Sequence, residues 1–115
     1  MRLDEYANHD AIGLAKRVRD GEVTSVELAD LVVQAVAKVD GDLNAVVGLY
    51  PDVVECAERA HPGPFHGVPT LLKDLFHGDL GRPTEAGSRL AQGWVSQTTS
   101  ELVRRLKESG FVPLG

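Results

Sequence analysis

The chain has 115 residues, 43% of them hydrophobic and 25% charged, and its twelve basic against seventeen acidic side chains give a formal net charge of −5. That size suits one ordinary domain with its own core, and the charge has the wrong sign for a domain whose affinity comes from neutralising phosphates, which argues against nucleic-acid binding by this segment. The one cysteine, Cys56, excludes an internal disulfide and favours a reducing compartment; with acids in "MRLDEYANHD" where an export signal carries bases, and no run of roughly 18 apolar residues, the expectation is a cytoplasmic protein without a membrane span.

Asp10 is placed to cap a first helix, whose apolar face is Ala11, Leu14, Ala15 and Val18 at i, i+3, i+4, i+7 spacing. Gly21 ends it, and Thr24 with Glu27 forms a capping box ahead of the strongest helical stripe, Leu28, Leu31, Val32, Ala35 and Val39. "DGDLN" (40–44) reads as a turn, and valine-rich "AVVGLY" (45–50) as a short strand. Pro51 suits the first position of a third helix running to about Ala60. "HPGPFHG" (61–67) is a connecting loop, "VPTLLKDLF" (68–76) a strand, and "HGDLGRPTEAGS" (77–88) irregular. Thr98 and Glu101 predict a second capping box before a helix with Leu102, Val103 and Leu106 inward and Gly110 as its stop; "FVPLG" then begins another strand. The alternation is that of an α/β protein with helices packed on a sheet, without repeats or an internal domain boundary.

The expected strand 68–76 carries two charged residues, Lys73 and Asp74. In an extended chain Lys73 shares a face with Leu71 and Leu75, and Asp74 points the other way with Leu72 and Phe76. An amine among leucines is desolvated, which disfavours its charged form. Lowering a lysine from its ordinary 10.4 to roughly 7.5 corresponds to about 4 kcal/mol and yields a base at neutral pH. On spacing alone a second reading stands beside this one: a lysine near a strand end reaches water with its amine and packs only its methylenes.

Three blocks carry a more specific signal. "GPFHGVPTLLKDLF" contains Gly67, Val68, Pro69, Lys73 and Asp74 in a G-[IV]-P-x-x-x-K-D pattern; "PTEAGSRL" contains Thr84, Gly87 and Ser88 as T-x-x-G-S; the last helix ends in a turn with Gly110 and Gly115. Together, and in this spacing, they resemble the amidase signature family, closely from about Pro62 onward and more loosely from Asp10 to Ala60. The resemblance implies an α/β/α sandwich with a mixed sheet, of which residues 1–115 would be an incomplete N-terminal segment. It also implies amide-bond hydrolysis or transfer by a Ser, cis-Ser, Lys triad without cofactor or metal. Lys73 matches the triad lysine, the base that relays a proton through the cis-serine so that a second serine attacks the amide carbonyl.

The two serines have no match. Ser88, Ser96, Ser100 and Ser109 are the only serines beyond Lys73, and none lies in a Gly- and Ser-rich run. Each is expected to be structural. Residues 1–115 therefore read as the front part of a longer enzyme, inactive alone, that needs its C-terminal remainder or self-associates. Its substrate in the complete enzyme would be a small amide. The alternatives are a non-catalytic remnant or subunit that works by association with another chain, and part of one subunit of a tRNA-dependent amidotransferase. Cys56, His61, His66 and His77 sit at spacings that match no metal-binding pattern.

Overall fold

The computed structural model describes residues 1–75 and 77–115. In chain order it contains α1 (Leu3–Tyr6), α2 (Ala11–Arg19), α3 (Ser25–Leu43), α4 (Val53–Glu58), β1 (Pro69–Thr70), α5 (Glu101–Glu108) and β2 (Val112–Pro113), with a short 3-10 turn at Arg89–Ala91. The fold is α/β, as the alternation predicts. Its sheet is a parallel pair in which Pro69 faces Val112 and Thr70 faces Pro113. Among the described residues no helix is long and apolar enough to cross a membrane.

The caps that the sequence predicts for α2 and α3 form. The Asp10 side chain accepts the Gly13 N–H at 2.7 Å. Thr24 and Glu27 satisfy each other's backbone donors at the start of α3. The helix runs on through the expected turn at 40–44 and ends at Asn44, which adopts φ 48°. No strand forms at 45–50; that segment makes a single ladder-like contact, the Tyr50 N–H to the Leu114 carbonyl at 2.7 Å. Cover is uneven along it: Leu49 packs against the cluster of Val32 and Leu114, whereas Val47 is 84% exposed.

The first half of α3 is the centre of the core. Leu28 and Leu31 pack with Leu14, Ala15, Val23 and Val68, while Ala29 and Val32 pack with Ala57, Val112 and Leu114. Leu28, Val68, Val103 and Leu114 are the fully buried large side chains, each contributing about 1.5–3 kcal/mol by leaving water. Past Val36 the stripe loses its cover, and Val39 is exposed. Phe65 and Phe111 stack at 4.5 Å between ring centroids, joining the loop before β1 to the residue before β2.

The final helix forms where the sequence places it, but with a different cap. Ser100, not Thr98, is the cap of α5 and accepts the Val103 N–H at 3.3 Å. Of its three expected inward residues Val103 is buried and Leu106 half-buried, while Leu102 is 48% exposed. Gly110 ends it at φ 103°, and a Cβ there would lie 2.5 Å from the His66 backbone nitrogen. Only glycine lets these two segments approach so closely. The neighbouring hydrogen bond, Gly67 N–H to the Gly110 carbonyl at 3.0 Å, sets the register with which β1 and β2 then pair.

Candidate functional site

The strand that carries Lys73 is much shorter than its sequence suggests. β1 stops at Thr70. The Leu72 N–H still reaches the Gly115 carbonyl at 2.9 Å, and the chain then turns at Asp74 and Leu75, with the Leu75 N–H bonded to the Lys73 carbonyl at 2.7 Å. Phe76, at the end of the expected strand, lies outside the described residues. Lys73 is exposed and so is Leu71, at 45%; the leucine-lined face inferred from alternation does not exist in these residues. A pleat persists only where a neighbour supplies the ladder, and past Leu72 the chain turns instead, with the Asp74 side chain bonded into the loop at 85–87.

What replaces the ladder is Asp74. Its half-buried side chain accepts the Glu85 N–H at 2.7 Å and lies 3.4 Å from the Gly87 N–H. Ala86 and Gly87 both have positive φ, 51° and 61°, and left-handed residues of this kind turn successive N–H groups into an anion-accepting hollow. Asp74 thus ties the K-D pair to the T-x-x-G-S segment. Sequence reasoning gave Asp74 no role. The available signal was an aspartate a short loop away from a glycine-bearing turn, whose N–H groups need an acceptor.

The three sequence blocks therefore meet around Lys73. The first joins the third through Leu72 and Gly115, and joins the second through Asp74 and Glu85. The four serines beyond Lys73 are occupied elsewhere by backbone. Ser88 accepts the Leu90 N–H at 3.3 Å, Ser96 donates to the Thr98 carbonyl at 2.7 Å, Ser100 caps α5, and Ser109 donates to the Leu106 carbonyl at 2.8 Å.

A second polar cluster, unanticipated from sequence, lines a cleft of about 330 Å³ between α4, α5 and the loop at 77–98. Arg82 forks onto Asp52 at 2.6 and 2.9 Å, lies 4.1 Å above the Tyr50 ring, and approaches the Cys56 Sγ at 3.2 Å. The guanidinium holds the Asp52 carboxyl below the usual carboxylate range, and burial pushes the Cys56 thiol up, away from nucleophilic character. Asp79, 5% exposed, accepts from Lys107 Nζ and Thr99 Oγ1. The two ion pairs, Arg82 with Asp52 and Lys107 with Asp79, read as structural pins, and Arg59 also lines the cleft.

Among the described residues no three His, Cys, Asp or Glu side chains converge as a metal site. The His61 and His66 rings instead bond backbone carbonyls, of Pro62 at 2.7 Å and of His61 at 3.1 Å.

Comparison with known proteins places this geometry in context. The family model described as Amidase matches residues 27–115. Among curated proteins, a glutamyl-tRNA(Gln) amidotransferase subunit of Renibacterium salmoninarum is 33% identical over 98% of this chain and 23% of its own length. The 6-aminohexanoate-cyclic-dimer hydrolase of a Pseudomonas species is also 33% identical, over 92% of this chain and 22% of its own. Among solved structures, the native peptide amidase of Stenotrophomonas maltophilia superposes with a TM-score of 0.86 at 36% identity, covering 96% of this chain and 24% of that one. The chain thus spans about a quarter of the length of the relatives it matches.

Proposed function

The chain belongs to the amidase family, and from that premise we propose that residues 1–115 are the N-terminal segment of an amide-bond hydrolase, without an internal domain boundary, in which Lys73 is the general base. The observation that carries this reading is the meeting of the three sequence blocks at Lys73, through Leu72 with Gly115 and Asp74 with Glu85.

In the proposed reaction the Lys73 amine, neutral at rest, takes a proton through a cis-serine from a second serine. That hydroxyl oxygen attacks the amide carbonyl, and backbone N–H groups hold the oxyanion. The tetrahedral species collapses to an acyl-enzyme as the amine leaves with a proton, and water then releases the acid. Both serines would come from the remainder of the complete enzyme, since Ser88, Ser96, Ser100 and Ser109 are engaged with backbone. The same remainder would close over the exposed Lys73 and supply the desolvation that a neutral amine requires. It would also complete the layers of an α/β/α sandwich on the parallel pair. Residues 1–115 alone would be inactive.

The substrate would be a small carboxamide or acyl amide, in keeping with the peptide amidase and the cyclic-dimer hydrolase that the chain resembles. A second reading follows from the amidotransferase relatives: the complete protein would transfer an amide nitrogen as one member of a multi-chain assembly. Turnover of simple amides by the purified complete protein without any partner chain favours hydrolysis; turnover only with partner chains favours transfer.

The test joins residues 1–115 to the C-terminal remainder and assays a panel of simple amides, with Lys73→Ala as the control. The variant should lose about 10²–10⁴-fold in kcat, the range of a general base. Near-normal turnover by Lys73→Ala would remove Lys73 from the mechanism. No turnover by the complete protein on any amide, alone or assembled, would make a non-catalytic role by association the better reading.

A further inference from the structure

We propose that Asp74 is a positioning residue for Lys73: by accepting the Glu85 and Gly87 N–H groups it clamps the lysine's backbone to the T-x-x-G-S loop and fixes where the amine starts its reach into the reaction site. The inference rests on the reading of Lys73 as general base. It adds a residue whose side chain touches neither substrate nor the lysine amine.

Lys73 lies between two anchors. On its N-terminal side the Leu72 N–H is bonded to the Gly115 carbonyl at 2.9 Å, and its own carbonyl accepts the Leu75 N–H at 2.7 Å. On its C-terminal side the Asp74 side chain meets Glu85 N–H at 2.7 Å and Gly87 N–H at 3.4 Å. With the backbone held on both sides, the lysine Cα is placed and only side-chain torsions remain free. The exposure of Lys73 makes this placement matter, because its side chain is open to solvent among the described residues.

The chemistry of the anchor is suited to the task. Hydrogen bonds to an ionised acceptor are roughly twice as strong as neutral ones, and a carboxylate offers one oxygen to each N–H. The loop it holds contains Ala86, a residue with a Cβ at φ 51°, and such a conformation persists where surrounding contacts impose it. Glu85 adds its own brace by accepting the Gly93 N–H at 3.2 Å. The K-D pair is thus one functional unit, with the second residue serving the first through a loop eleven to thirteen positions away.

The experiment compares Asp74→Ala, Asp74→Asn and Lys73→Ala in the complete enzyme, with amide hydrogen exchange measured on the 115-residue chain itself. Asp74→Ala should lower kcat by about 10²-fold, the scale of a misplacement near 1 Å, while KM and the shape of the pH–rate profile stay as they were. Exchange at the Glu85 and Gly87 amides should rise at the same time. Asp74→Asn, which keeps an acceptor for the Glu85 N–H, should recover most of kcat. A full kcat in Asp74→Ala beside an inactive Lys73→Ala would overturn the positioning role and leave the lysine's role standing; full activity in Lys73→Ala would overturn the underlying reading instead. A moved pH–rate profile would show that Asp74 acts on the lysine's charge and not on its place. Should Asp74→Ala fail to fold, an Asp74→Asn variant that loses kcat while exchange at the Glu85 and Gly87 amides stays as in the wild type would overturn the proposal equally.

Discussion

The Arg82 guanidinium grips the Asp52 carboxylate through two parallel hydrogen bonds, at 2.6 and 2.9 Å, while its face lies 4.1 Å from the centre of the Tyr50 ring. This relationship pins the irregular loop at 77–98 to the start of α4, across thirty residues of sequence. The pair is only partly exposed on the arginine side, at 22% for its side chain, so its contribution exceeds that of a free surface ion pair. Replacing Arg82 by alanine should cost about 1–2 kcal/mol, combining an ion pair and a cation–π contact. Arg82→Lys should recover less than half of that, because an ammonium cannot make the bidentate fork. Urea unfolding of the three proteins checks both figures.

Asp79 and Lys107 make a second tie between the same loop and α5, and here the two partners are unequally buried, with side-chain exposures of 5% for Asp79 and 45% for Lys107. The asymmetry predicts an asymmetric response. Lys107→Ala strands a buried carboxylate with Thr99 as its remaining side-chain partner and should cost about 2–3 kcal/mol, whereas Asp79→Asn leaves a lysine that can turn to water and should cost about 1 kcal/mol. Equal losses in thermal unfolding would mean that the pair acts as an ordinary surface bridge.

Gly110 and Gly21 both have positive φ, 103° and 74°, but only Gly110 faces another segment: its Cβ would sit 2.5 Å from the His66 nitrogen, while nothing lies within 4 Å at Gly21. Gly110→Ala should therefore cost at least about 3 kcal/mol, adding a backbone clash to dihedral strain. Gly21→Ala should cost about 1 kcal/mol, the dihedral part alone. Chemical denaturation of the two variants separates the components.

The sequence made legible those features that depend on neighbours in the chain. The caps at Asp10 and Thr24, the Leu28–Leu31–Val32 face and the stop at Gly110 follow from local side-chain to backbone geometry, and all are present. What misled was alternation read as strand. In 68–76 the hydrophobic pattern outlasts the ladder: β1 ends at Thr70, the chain turns at Asp74 and Leu75, and the Asp74 carboxylate finds its donors in a distant loop. In 45–50 Leu49 reaches the core while Val47 stays 84% exposed. Thr98 and Ser100 illustrate the same limit on a smaller scale: both are good caps by type, and the choice of Ser100 goes with its N–H bonding to the Gly78 carbonyl at 2.9 Å, a contact between residues far apart in sequence. The three blocks around Lys73 were legible as a set, whereas the tie between two of them through Asp74 depends on the folded path of the chain.

Glu101 carries the clearest pH signature in the chain. Its carboxyl is pulled down from 4.5 to about 2 by the Arg104 guanidinium, with Arg105 adding to the effect, at distances of 2.7 Å from each. A carboxyl whose pKa is lower in the folded chain than in the unfolded one stabilises fully above the unfolded value and loses that contribution as pH falls through the folded value. The contribution should therefore be complete above about pH 4.5 and fade down to about pH 2. Glu101→Gln should flatten the fall in stability across that window and leave the rest of the acid limb, to which Asp52 contributes in the same direction through Arg82, unchanged. Because Glu101 and both arginines are exposed, added salt should shrink the difference between wild type and variant. Thermal unfolding from pH 2 to pH 6 at low and high ionic strength measures it, and identical slopes for the two proteins at low salt would show that the Glu101 ion pairs do not persist in solution.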